Sequence, residues 1–292
     1  MEKPKVYFSS RITEDNVIEL YKKLNISLNG RVAVKVHSGE EGNQNYLRPL
    51  FLKPIIDYVG GTVVECNTAY DGARDTTEKH LNLMSNHDWN KYFNVDILDS
   101  DSDMEISVPN GKVITKNYVG SKLKDYDSIL VLSHFKGHPM GGFGGALKQL
   151  SIGFASSKGK RYIHCAGKEN GSYEDMFETD QLKFISAMAD AASSVHKYFE
   201  NRIAYINIMC NLSVDCDCCK VAEDPCMKDI GILASLDPIA LDQACIDLVY
   251  NSCDPGRDHL VERIESRHGT KVIDDANSLR FGTREYELIN ID

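Results

Sequence analysis

The chain has 292 residues, 42% of them hydrophobic and 26% charged, with a formal net charge of −10. That is enough for one large domain or two medium ones with a sizeable core. The acidic balance argues against a nucleic-acid or anionic-membrane partner, because no basic surplus is present to displace counterions from phosphates.

The opening MEKPKVYFSS lacks the apolar stretch of a signal peptide. No run of about 18 apolar residues predicts a membrane span. A cytoplasmic, reducing location is therefore expected, and the nine cysteines read as thiols or ligands rather than disulfides.

In chain order, residues 13–24 carry Val17, Leu20, Tyr21 and Leu24 on one stripe and predict a helix. RVAVKV (31–36) reads as a strand, residues 49–59 as a helix stopped at Gly60–Gly61, and TVVE (62–65) as the next strand. Asp75-Thr-Thr-Glu78 opens a helix that carries His80 and His87 on one face, about 10 Å apart along its axis. Strands follow at SILVLS (128–133), at a strand-like 161–163, at AYINIM (204–209) and at DIGILAS (229–235). Helices are expected over 179–199, over 239–250 behind the Asp237–Pro238 cap, and over 258–267; YELINI (286–291) closes the sheet. Unbroken apolar strands suit burial on both faces. The expected fold is α/β, a mixed or mostly parallel sheet flanked by helices, as one domain over 1–292 or as two lobes meeting near 165–205.

Two stretches carry the chemistry. The first, SHFKGHPMGGFGGALKQLSIG (133–153), starts where a strand stops, the edge at which open sheets bind ligands. His134 and His138 are candidate proton-transfer bases, with Lys136 between them. Pro139 keeps His138 extended, so the two rings need not chelate one ion together. Gly141, Gly142, Gly144 and Gly145 lead into a helix whose free amides would hold a small anion, and Lys148 would add charge. Tight packing of the loop on the sheet is the alternative. The second stretch, VDCDCCKVAEDPC, offers Cys216, Cys218, Cys219 and Cys226 as metal ligands, because a turn can aim both sulfurs of a C-x-C at one centre. Its spacing matches neither a ferredoxin run nor a zinc knuckle. His37, His80, His87 and His164 are candidate pocket walls.

HFKGHPMGGFGGALKQLSIGFASSKGK, VDCDC and DIGILASLDPIALDQACIDLV together resemble the family called domain of unknown function 362, over essentially the whole chain. The family carries an iron–sulfur (4Fe–4S) label, and the resemblance implies roles for His37, His134, Lys136, His138, Lys148, Cys216 and Cys218. Many of its members hold an inserted ferredoxin module after the segment matching 156–160; this sequence has none. The family is in turn distantly similar to lactate racemase. The expected function is a metal-centre protein, with an iron–sulfur cluster, as the resemblance implies, or a single transition metal on the C-x-C turn, a polar pocket for a small anionic ligand at the glycine loop, and a redox partner protein. The alternative is an enzyme moving a proton on a small carboxylate-like substrate.

Overall fold

A computed structural model describes residues 2–292. In chain order its strands are β1 (Lys5–Ser9), β2 (Val32–Lys35), β3 (Thr62–Glu65), β4 (Val95–Ile97), β5 (Asp103–Ser107), β6 (Lys116–Gly120), β7 (Ser128–His134), β8 (Lys136–His138), β9 (Gly142–Gly144), β10 (Ile203–Met209), β11 (Gly231–Ser235) and β12 (Glu287–Asn290). Among the described residues, eight strands form one sheet in the order β12-β1-β11-β10-β7-β2-β3-β4, and β5–β6 and β8–β9 pair separately. From β4 to β10 neighbours run parallel; β11 lies antiparallel between β10 and β1. The fold is α/β, with a mixed, mostly parallel sheet.

Side chains of a strand alternate between faces, and here both faces are apolar. Ile129 and Val131 of β7 enter one core with Ile185, Ala189, Ile239 and Ala244, from helices Gln181–Phe199 and Pro238–Tyr250. Leu130 and Leu132 enter the other with Leu20, Leu52 and Ile55, from helices Glu14–Lys23 and Pro49–Val59. That double burial is why the strands read as unbroken apolar runs. The helix starts are fixed by side-chain caps, Thr13 accepting from Asn16 N and Asp237 from Ile239 N and Ala240 N. Gly60, at φ 62°, ends its helix in the left-handed region.

Three expectations are corrected. Residues 161–163 belong to a helix, Ser157–His164, whose cap Ser156 accepts from Gly159 N. A short apolar run does not distinguish the two states. His87 stands at the C-cap of helix Thr77–Asn86, which Thr76 rather than Asp75 opens. The histidine–glycine loop is not open chain, because β8 and β9 pair within it. β1, β4, β5 and β6 had no apolar run long enough to announce them. No described helix is long and apolar enough to cross a membrane.

The sheet order positions the site. From β2 the chain moves outward through β3 to β4, then returns to lay β7 on the other side of β2. The carboxyl ends of β2 and β7 flank this reversal, the crevice where open α/β sheets take ligands.

Candidate functional site

His134 ends β7 opposite Ile208 of β10. Its Nδ1 lies 2.9 Å from Asp217 Oδ1 and its Nε2 2.6 Å from the Cys210 carbonyl. Lys136 Nζ donates to Asp217 Oδ2 at 2.6 Å, and all three side chains are buried. Burial alone would raise the Asp217 carboxyl, but the adjoining His134 and Lys136 outweigh it and hold it well below the usual carboxylate range. Gly137 N donates to Ser213 O, and a Cβ on Gly137 would sit 2.3 Å from Val214 O. Glycine is needed there because the cysteine loop passes directly over β8. His134 and Lys136 therefore anchor that loop. Both ring nitrogens of His134 face acceptors, and neither residue lines the cleft described below, so the geometry gives them no proton to exchange with a ligand.

The anchored loop sets Cys216 and Cys218 against His138, with the three ligand atoms within 4.8 Å of one another. Cys216 Sγ receives Lys148 Nζ and Cys218 N, each at 3.4 Å. Burial raises the Cys216 thiol, yet the hydrogen bond from Cys218 and the charges of Lys148 and Lys136 pull it well below its ordinary value. Hydrogen bonds to Cys216 and Cys219, with burial, push Cys218 well above its own. The pair therefore shares one thiolate and one proton. Nδ1 of His138 accepts from Gly141 N at 2.8 Å and Met140 N at 3.2 Å, and Nε2 lies 3.8 Å from Cys218 Sγ. Burial and Lys148 hold His138 down at about 4, so the ring is neutral with its proton on Nε2. A metal ion seated on all three groups would have to displace the Cys218 proton and, to use Nε2 of His138, shift that ring's proton to Nδ1 and break its bonds from Gly141 N and Met140 N.

The donor set fits a single soft ion, two sulfurs and a nitrogen with a further position open. Of the four expected thiolates, Cys216 and Cys218 belong to it. Cys219 is half-buried beside Cys218, but Cys226 Sγ turns 3.1 Å from the Leu212 carbonyl and stands outside the group.

Beside the thiols lies a cleft lined by Lys35, His37, Glu65, Arg74, Lys148, Lys160 and His164, with Met140, Ile152, Tyr173, Met176 and Phe177 supplying apolar wall. Lys35 pairs with Glu65 at 2.7 Å and Arg74 with Glu40 at 3.0 Å. Lys160 Nζ donates to the Ala155 carbonyl at 2.6 Å and, among the described residues, joins no ion pair; burial lowers its pKa. His37 Nδ1 accepts from Gly39 N, leaving Nε2 to donate. His164 Nδ1 bonds the Lys160 carbonyl at 2.7 Å, leaving Nε2 to accept, and burial holds that ring at about 4.

Of the expected wall residues, His37 and His164 line this cleft. His80 and His87 do not: His80 bonds Ser38 Oγ and Asn67, and His87 bonds the Ser38 carbonyl, so both brace the turn after β2. The expected anion site on the glycine amides is also corrected. Ala146 N and Leu147 N donate to the buried Asp242 carboxylate at 2.8 and 2.9 Å, joined by Asn207 Nδ2 at 2.7 Å. The anion at that helix entry belongs to the chain itself. A Cβ on Gly145 would meet Asp242 Oδ1 at 2.4 Å; Gly142, at φ 80°, backs onto Gly269. Gly141 N is engaged by His138, and Gly144 abuts Lys148, so packing accounts for the glycines and Lys148 alone of that set reaches the cleft. Lys35, Glu65, Arg74, Lys160 and Asp217 were not anticipated, although a lysine inside the apolar RVAVKV was a legible signal.

Residues 32–247 match the model of a family described as domain of unknown function, DUF362. No curated protein matches the chain. Among solved structures, the lactate racemase apoprotein from Thermoanaerobacterium thermosaccharolyticum is similar at 15% identity and a TM-score of 0.40, over 69% of this chain and 50% of that one. A protein from Thermotoga maritima is similar at 11% identity and a TM-score of 0.44, over 91% of this chain and 59% of that one. The chain thus spans 50% and 59% of the lengths of these two neighbours.

Proposed function

We propose that this chain, which belongs to the DUF362 family, binds one soft transition-metal ion through Cys216 and Cys218, with His138 as third ligand, beside a cleft that holds a small anion. The observation that carries this reading is the group of three ligand atoms within 4.8 Å, two of its residues buried and Cys218 half-buried, bordering a cleft with a cation, Lys160, that has no counter-charge in contact among the described residues. When bound, such an ion supplies a Lewis-acidic or redox-active position next to the anion. Lys160 attracts the anion, His37 Nε2 donates to it, and His164 Nε2 accepts from any hydroxyl it carries, while Lys148 stays on the Cys216 sulfur. A reducing, cytoplasmic setting belongs to the proposal, because it keeps both thiols free.

The test is anaerobic purification with elemental analysis and a visible spectrum. About one ion per chain is expected, and C216S/C218S should lose it while remaining folded. Unchanged metal content in the double variant overturns the reading. Iron with sulfide, and the broad visible band of a cluster, would replace the single ion by an iron–sulfur centre and make a redox partner the next thing to seek. A second reading, proton transfer on a carboxylate, is favoured by the unfilled His164 Nε2 in the cleft. It requires H164Q to lose turnover without losing metal.

A further inference from the structure

We infer that the anion taken by the cleft is amphipathic, a single carboxylate head on Lys160 with an apolar body lying against Tyr173, Met176 and Phe177. This rests on the anion-binding half of the proposed function and narrows it to a substrate class.

The head follows from which charges are already answered. Lys35 lies against Glu65, Arg74 against Glu40, and Lys148 Nζ against Cys216 Sγ. Lys160 is nine-tenths buried, lines the cleft and donates to one carbonyl, and Asp99 and Glu65 act on it only from beyond contact distance. One buried positive charge with no carboxylate in contact matches one negative charge. A carboxylate supplies that, whereas a phosphate monoester near −2 leaves an excess in a poorly solvated place.

The body follows from the mouth. Tyr173 is 47% exposed and Phe177 62% exposed, yet their rings pack edge-on at 5.1 Å and border the same cleft. Met176, between them in sequence, is buried. Large aromatic surface left in water at the rim of a charged pocket gains by being covered with apolar matter. The helix carrying Lys160 leads directly into the segment carrying these rings, so one stretch of chain supplies both the head and the body contacts.

Calorimetric titration of the intact protein with hexanoate, acetate, hexyl phosphate and hexanol tests this. Hexanoate should bind at least about tenfold tighter than acetate, since its extra methylenes reach the rim, and hexanol should not bind. K160M should weaken hexanoate by about tenfold or more, K160R should restore much of it, and Y173A/F177A should weaken hexanoate while leaving acetate unchanged. Metal content should be that of the wild type in every variant. Equal affinity for acetate and hexanoate, or hexanoate binding untouched in a folded K160M, overturns the inference and leaves the proposed metal site standing. Tighter binding of hexyl phosphate overturns the choice of head. If no anion binds the wild-type protein, the anion half of the proposed function falls with it.

Discussion

Two charged clusters lie almost side by side, and they behave in opposite ways. In the first, His134, Lys136 and Asp217 close on one another: every strong donor has an acceptor and nothing faces the cleft. In the second, His37 and His164 each keep Nε2 free of a protein partner among the described residues, and Lys160 Nζ has donors to spare beyond its one carbonyl. Residue types are nearly the same in both. Function is read from valences left open, and stability from those that are closed.

The sharpest way to break that comparison is to unpair the closed cluster. D217N takes the carboxylate away from buried Lys136 and His134, and a loss of about 3–5 kcal/mol is expected in urea denaturation. A loss under about 1 kcal/mol would mean the cluster is not closed after all. Acid should show the next effect. Burial holds His80 at about 3 and His138 and His164 at about 4, all below the ordinary histidine value. The unfolded chain then binds more protons than the folded one between those values and about 6.5. Stability is therefore fully present above about pH 6.5 and falls as pH drops toward 4, by up to roughly 3–4 kcal/mol per pH unit if all three rings contribute. A flat urea midpoint between pH 7 and 5 would place these rings in water.

Asp242 runs the other way. Burial raises its carboxyl to about 6 against the pull of its amide donors, so its contribution is complete below about pH 4 and lost as pH rises through 6. D242N puts an amide against backbone donors and should cost about 1–3 kcal/mol. K160M removes a charge from the open cluster and should leave stability unchanged or raise it by about 1 kcal/mol, the reverse of D217N. The smallest effect is expected at Cys226, outside the group. C226S should change stability by under about 0.5 kcal/mol and leave metal content alone; lost metal would bring back a larger thiolate cluster.

Much of the sheet was legible. β2, β3, β7, β10 and β11 are buried on both faces, and such strands advertise themselves as apolar runs. Short strands without such a run, as in β4 and the β5–β6 pair, left no comparable mark. The C-x-C thiols stood out because cysteines are rare and were dense there; that His138, read as a proton-transfer base, stands beside them was not legible. What stayed hidden was long-range pairing. Nothing near His134 indicates that its partner is an aspartate 83 residues on, or that Asp242 fills the helix entry which the glycines made look vacant. Lys160 was overlooked because a basic residue in SSKGKRYIH looks like solvated surface until the helix is seen to bury it.

The passage of the cysteine loop over Gly137 has a consequence for the order of events during folding. Residues 213–219 reach β8 only after β10 has paired with β7, a contact between segments more than 70 positions apart, and loop closure of that length is slow compared with helix formation. Until then Cys216 and Cys218 travel with the late-arriving half of the chain while His138 and Lys148 wait in the early half. The partly folded chain then holds no assembled thiol pocket, so the proposed metal would be acquired by a finished protein rather than used as a template to build one.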